Sequence, residues 1–117
     1  MDTAHKIKVV NQYIQAVSTL DLDLIREIYA SNATVEDPVG SPRHEGIDAI
    51  LAFYGRIKGV GVTLALKDTP KCAGNAVAFP FTATIGPTVM DIIDVFEFNE
   101  DGKVLSMKAY WGPENRK

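Results

Sequence analysis

The sequence predicts an α+β domain in which three N-terminal helices pack in the concave face of a curved, mostly antiparallel sheet, forming a cone-like barrel around a deep apolar pocket. Two observations predict it. Apolar residues recur at helical spacing in the first half of the chain and switch to strand alternation from Val62 onward. The later runs are separated by short turns, which join antiparallel neighbours. A chain of 117 residues with 46% hydrophobic content is expected to form one domain over residues 1–117.

In chain order, Ile7, Val10, Ile14 and Val17 form a stripe that Tyr13 adjoins, so residues 4–18 are expected to form an amphipathic helix. Asp21 is placed to cap a second helix carrying Leu24, Ile25, Ile28 and Tyr29 and ending near Ser31 and Asn32. A short strand and the loop GSPRHEG follow. A third helix over residues 47–57 turns Ile47, Ile50, Leu51, Tyr54 and Ile57 inward and is ended by Gly59 and Gly61. That GVG has neither the preceding strand nor the remaining glycine of a dinucleotide-binding loop, and is expected to be a turn. The runs VTLALKD, AVAFPFTATI, VMDIIDVFEF and KVLSMKAYW are then expected as four strands.

Two acids stand out against this pattern. In TVEDPVG, Asp37 precedes a proline, which favours extended backbone, and alternation puts it in phase with Ala33, Val35 and Val39 while Glu36 faces solvent. A simpler reading makes it a turn-former bonded to nearby amides. In VMDIIDVFEF, alternation centres Asp94 among Met90, Ile92, Phe96 and Phe98, with no Lys or Arg on that face. Burial there disfavours the charged form, so Asp94 is expected to be protonated and to act as a hydrogen-bond donor. Asp91, on the opposite face, is expected at a rim or subunit contact.

Composition excludes several classes. A net charge of −3 with scattered Lys and Arg argues against nucleic acid or an anionic membrane as partner. No apolar run suggests a signal peptide or a membrane span, and a cytoplasmic location is expected. The single Cys72 forbids an intrachain disulfide, and His5 and His44 lack metal-motif spacing, so no metal site is expected.

Six segments, NQYIQAV, YASNATVEDPVG, AFYG, AFPFTAT, IIDVFEF and SMKAYWG, match in order over nearly the whole chain, and through them the sequence resembles the ketosteroid isomerases. These belong to the nuclear-transport-factor-like, cone-shaped α+β superfamily. The resemblance implies roles position by position: Asp37 as general base, Tyr13 as principal oxyanion-hole phenol, and Asp94 as the second, protonated donor. Ketosteroid isomerases are the known case of a carboxylic acid kept neutral for that purpose. Tyr29 and Tyr54 match tyrosines that extend a hydrogen-bond chain behind the first phenol in some members. Trp111 matches an indole near the base, while Val39, Phe53, Phe81 and Met107 resemble pocket wall.

The implied reaction moves a C=C bond from β,γ to α,β of an apolar ketone such as a 3-ketosteroid through a dienolate, with no cofactor. The stretch TATIGPTVMDIID is several residues shorter than the corresponding hairpin of the family, which bears on the pocket mouth or a dimer contact. Dehydratases, epoxide hydrolases and polyketide cyclases share the fold, and a non-catalytic ligand-binding or dimerisation module is the alternative of another class. A homodimer is expected, because a small chain with a long apolar sheet leaves one face uncovered, with VTLALKD and KVLSMKAYW supplying it.

Overall fold

Asp2 opens the first helix by accepting a hydrogen bond from the His5 amide at 2.8 Å, satisfying one of the free N–H groups of the first turn. The structure is a computed structural model that describes residues 2–57 and 60–117. Helix α1 spans Thr3–Thr19. Its buried stripe is Lys6, Val9, Val10, Tyr13, Ala16 and Val17. The stripe is turned slightly from the expected one, so that Ile7 and Ile14 are half-buried at its edge. Lys6 is buried along its stem and delivers its ammonium to the Gly74 carbonyl at 2.8 Å, tying the helix to a distant turn.

Asp21 caps α2, Leu22–Ile28, through the Leu24 amide at 3.1 Å. This helix is shorter than expected. Tyr29 already has extended backbone and begins strand β1, Tyr29–Glu36, so it reaches the core from a strand. Part of the loop GSPRHEG forms β2, His44–Glu45, paired antiparallel with Thr34 and Val35. Helix α3 covers Ile47–Gly55, two residues short of the expected end, with Ile50 and Tyr54 buried. Gly59, expected to help end it, lies outside the described residues.

The second half holds five strands where four were expected: β3 Thr63–Leu66, β4 Lys71–Ala73, β5 Ala76–Ile85, β6 Thr88–Phe98 and β7 Val104–Tyr110. The extra one, β4, pairs with the start of β5, whose later part pairs with β3. Pro80 explains the break. Its carbonyl accepts from Lys67 on the β3 side, where its own nitrogen has no proton to give, so pairing is interrupted between Leu66 and Lys71. The hairpin from β5 to β6 is a two-residue loop, Gly86 and Pro87 between paired Ile85 and Thr88. Gly86 has φ +58° and proline sets the next φ negative, the sign pattern of a tight hairpin turn.

The sheet runs β2-β1-β7-β6-β5-β3. All pairs are antiparallel except β1 with β7, and the sheet does not close on itself. Helix α1 packs on β3 and β5, and α3 on β1. Burial alternates cleanly along β5, and along β6 it picks out Met90, Asp94, Phe96 and Phe98. In β7 the alternation slips: Glu97 pairs Ser106 but Phe98 pairs Val104, leaving Leu105 as an extra, outward residue.

An aromatic cluster fills the space between helices and sheet. Phe96, with no exposed surface, meets Tyr13, Tyr29, Phe79 and Phe98 at ring-centroid distances of 5.0–6.4 Å, all near edge-to-face. Truncating that ring leaves a cavity that rigid neighbours cannot close. Phe96→Ala is therefore expected to cost about 3–5 kcal/mol in urea denaturation, and a loss below about 1 kcal/mol would show that the cluster does not organise the core.

Candidate active site

A cavity of about 560 Å³ opens between α1, α3 and the inner face of β5 and β6. Its wall is mostly hydrocarbon, from residues such as Val17, Ile57, Leu64, Ala83 and Ile92. Into this surface project Tyr13, Asp37, Tyr54, Asp94 and Trp111. An apolar cleft with a few convergent polar groups is the ordinary form of a small-molecule site.

Asp94 is held mid-strand on β6 between Phe79 of β5 and Ala109 of β7, so its position is fixed from both sides. It is 1% exposed, and neither carboxyl oxygen has a hydrogen-bond partner among the described residues. Burial pushes its pKa well above the usual carboxylate range, and the charge of Asp37 adds to the rise. The nearby Tyr13 hydroxyl opposes it without closing a hydrogen bond. Its surroundings thus favour the neutral form over the charged one.

Tyr13, Tyr54 and Tyr29 come from α1, α3 and β1. Their hydroxyls form a chain with Tyr54 in the middle, 3.1 Å from Tyr13 and 2.7 Å from Tyr29. Burial raises all three phenols well above the usual tyrosine range. For Tyr13 the charges of Asp94, Tyr29 and Asp37 raise it further, while the bond from Tyr54 works the other way, as it does when Tyr54 is the donor.

Asp37 follows the last residue of β1. The turn after it is closed by other groups: the Gly40 amide donates to Glu36 at 2.9 Å, and the Ser41 amide to the Pro38 carbonyl at 3.0 Å. Asp37 instead accepts from the Trp111 indole at 2.6 Å. The simpler reading of Asp37 as a turn-former therefore has no counterpart in these bonds. Burial raises its pKa, while the Trp111 bond and the His44 charge pull it down. Asp37 and Asp94 line the same cavity in contrasting settings, one bonded and partly buried, the other fully buried and unbonded among the described residues.

Phe53, Phe81 and Trp111 lie on the cavity wall with these groups. Met107 is fully buried in the core behind the wall, and Val39 is 41% exposed, so neither lines the cavity. Asp91, expected at a rim or subunit contact, is not on the cavity lining and is paired with Lys67 at 3.0 Å and Lys117 at 3.8 Å. The shortened hairpin does border the cavity, through Ile85 and Thr88. Sequence reasoning missed His44, packed at a tilt against Phe53 with centroids 4.6 Å apart, and missed Arg56 and Arg116 on the lining. Arg56 lies off the inward stripe of Tyr54 and Ile57, and His44 and Arg116 lie in stretches without periodicity.

Residues 10–107 match the SnoaL-like domain family. The chain belongs to that family. It is 39% identical over 108 residues to a steroid Delta-isomerase from Nocardioides simplex, covering 89% of this chain and 87% of that protein. Among solved structures, the epoxide hydrolase/cyclase-like enzyme SalBIII, described for its role in pyran ring formation in the polyether salinomycin, superposes with a TM-score of 0.90. That pair shares 28% identity, over 98% of this chain and 96% of the other. The resemblance to ketosteroid isomerases carried by the six segments agrees with the first of these relatives.

The neutral state of Asp94 has a sign in stability. A carboxyl with a folded pKa raised above its unfolded value of about 4 contributes stability that is fully present below the unfolded pKa and is lost as pH rises through the folded one. Asp94→Asn keeps the shape and cannot ionise. The wild type is expected to lose stability relative to Asp94→Asn as pH rises, in paired urea titrations, and infrared difference spectra should show a protonated-acid band from Asp94 at neutral pH. A carboxylate band there would overturn the assignment.

Proposed function

We propose that this protein is a cofactor-independent steroid Δ-isomerase, acting in the cytoplasm on an apolar β,γ-unsaturated 3-ketone. The observation that carries the reading is the meeting of Tyr13, Asp37 and Asp94 on one hydrocarbon-walled cavity, with Asp94 unbonded and sealed.

A carbon between a carbonyl and an alkene is a weak acid, and removing its proton is feasible only if charge arriving on the carbonyl oxygen is stabilised as it develops. Asp37, ionised and held by Trp111, takes that proton. The electron pair delocalises into a dienolate whose oxygen accepts from Tyr13 and from neutral Asp94. If Tyr29 donates to Tyr54 and Tyr54 to Tyr13, the Tyr13 proton is left free for that oxygen. Asp37 then returns the proton two carbons along, the dienolate collapses to the conjugated ketone, and every group regains its starting state. Phe53, Phe81 and Trp111 form the flat apolar surfaces against which a steroid would lie.

A second reading is favoured by the likeness to SalBIII. A neutral acid and a carboxylate facing one cavity also suit epoxide opening, with Asp94 protonating the departing oxygen and Asp37 activating the nucleophile. A binding module without catalysis would leave both substrates unchanged.

Mixing the protein with a β,γ-unsaturated 3-ketosteroid and following the ultraviolet absorbance of the conjugated enone separates these readings. Absorbance should rise. Asp37→Asn is expected to lower turnover about 10²- to 10⁴-fold with ligand binding retained, and Tyr13→Phe about 10²- to 10³-fold. The rate should increase as pH rises through the Asp37 pKa and fall as Asp94 ionises. No absorbance change with the wild type would remove the isomerase reading.

A homodimer belongs to the same proposal. Ile93 and Tyr110, each 48% exposed, are paired across β6 and β7 on the outer face, and Leu105 lies farther along β7. Val39 joins the patch, its amide bonded to Ala109. The run VTLALKD, expected to contribute, exposes only Thr63 and Ala65 within β3, so the face rests on β6 and β7. Sedimentation at micromolar concentration should find a dimer that Ile93→Glu dissociates, and a strictly monomeric, fully active wild type would sink the idea.

A further inference from the structure

The polar groups of the cavity wall are divided by depth. Tyr13, Tyr54 and Asp94 are buried, whereas two cations, Arg56 and Arg116, are exposed and still belong to the lining. Both are held by backbone bonds. Arg56 directly follows α3, its amide donating to the Ala52 carbonyl at 3.2 Å. Arg116 follows a short turn closed by the Gly112 amide donating to the Asn115 side chain at 2.7 Å. It then forms an antiparallel bridge with Met90 of β6, and the next amide donates to the Val89 carbonyl at 2.8 Å.

Met90 lies four residues along β6 from Asp94, so the backbone of Arg116 is anchored about 13 Å from the buried acid. Neither guanidinium has an acidic partner among the described residues; the ion pairs found there use Arg43, Lys67, Lys71 and Lys117. Asp91, the acid closest to Arg116 along this edge of β6, is already held between Lys67 and Lys117. Two unpaired cations at the mouth of a hydrocarbon cavity, in a chain of net charge −3, are not a general attraction for anions. They are a local one.

We propose that Arg56 and Arg116 form an anion subsite at the cavity mouth, and that the preferred ligand is a rigid apolar ketone carrying a carboxylate or sulfate at the end remote from its carbonyl. The ketone end rests on the isomerase reading above; the anionic end rests on the two arginines alone. A guanidinium pairs either oxyanion in a fork. A remote charge held at the mouth also fixes which end of the ligand enters first, since an acid group pressed toward Asp94 would lose its hydration without a partner.

The test uses matched ligands that differ only in charge. For binding, these are a saturated 3-ketosteroid with a side-chain carboxylate and its methyl ester, and a saturated 3-ketosteroid sulfate and its parent alcohol, all measured by calorimetry. Exposed ion pairs are individually weak, so the charged member of a pair is expected to bind about fivefold to tenfold tighter at low salt. The advantage should shrink as salt is added. Arg56→Gln and Arg116→Gln should each narrow the ratio and the double variant should bring it to about one. The ratio is its own folding control, because a damaged variant loses both ligands together. An advantage in only one pair identifies which oxyanion the subsite takes. Equal or tighter binding of both neutral members, or a ratio unchanged in the double variant, overturns the proposal. Turnover of the β,γ-unsaturated counterparts is read separately by absorbance: its absence would remove the isomerase reading, while the binding ratio still decides the subsite.

Discussion

Removing the Asp94 carboxyl from water without giving it a partner is the constraint from which the rest of the cavity follows. A lone ionised carboxylate in that setting is costly, so burial shifts the balance toward the protonated form, the one that can donate. The same fact bears on Asp37. Two carboxyls facing one low-dielectric space cannot both ionise cheaply, and Asp37, with its indole bond, is the less penalised of the two. The difference between them is set by surroundings alone. Strand geometry supplies it, by seating one acid mid-sheet and the other just beyond a strand end.

The aromatic cluster makes that arrangement rigid. Tyr13 reaches the cavity from a helix, yet its ring is braced edge-on by Phe79, Phe96 and Tyr54, and its hydroxyl is tethered to the middle of the phenol chain. Each tyrosine comes from a different element, so the chain also records the relative placement of α1, α3 and β1. Packing and polarity are therefore the same construction. A shift of any one element would lengthen a hydroxyl contact and loosen a ring contact together.

Much of this was legible because β6 has period two: alternation alone placed Asp94 among Met90, Phe96 and Phe98 and turned Asp91 to the other face. Tyr13 was readable from the stripe of α1 for a similar reason. The second helix was overextended because Ile25, Ile28 and Tyr29 keep helical spacing across a boundary that only backbone geometry reveals. The strands β2 and β4 are two and three residues long, below what any pattern can mark. Met107 does face inward, opposite Phe96, but alternation cannot tell core from cavity wall, and the turn at Pro38 leaves Val39 exposed. Nothing local announced the parallel pairing of β1 with β7, or the arrival of Arg116 beside Met90, since both join distant parts of the chain.

That parallel pairing has a consequence for how the protein comes into being. Strand β1 is made well before its main neighbour β7, and the indole that holds Asp37 lies 74 residues downstream of it. Until then β1 has only the two-residue β2 along its edge. Long-range pairing of this kind is slow, and an unpaired edge is open to other chains while it waits. The cavity is thus completed only once β7 is in place, and a nascent chain stalled before β7 would carry three helices and most of a sheet with the acid pair still unassembled.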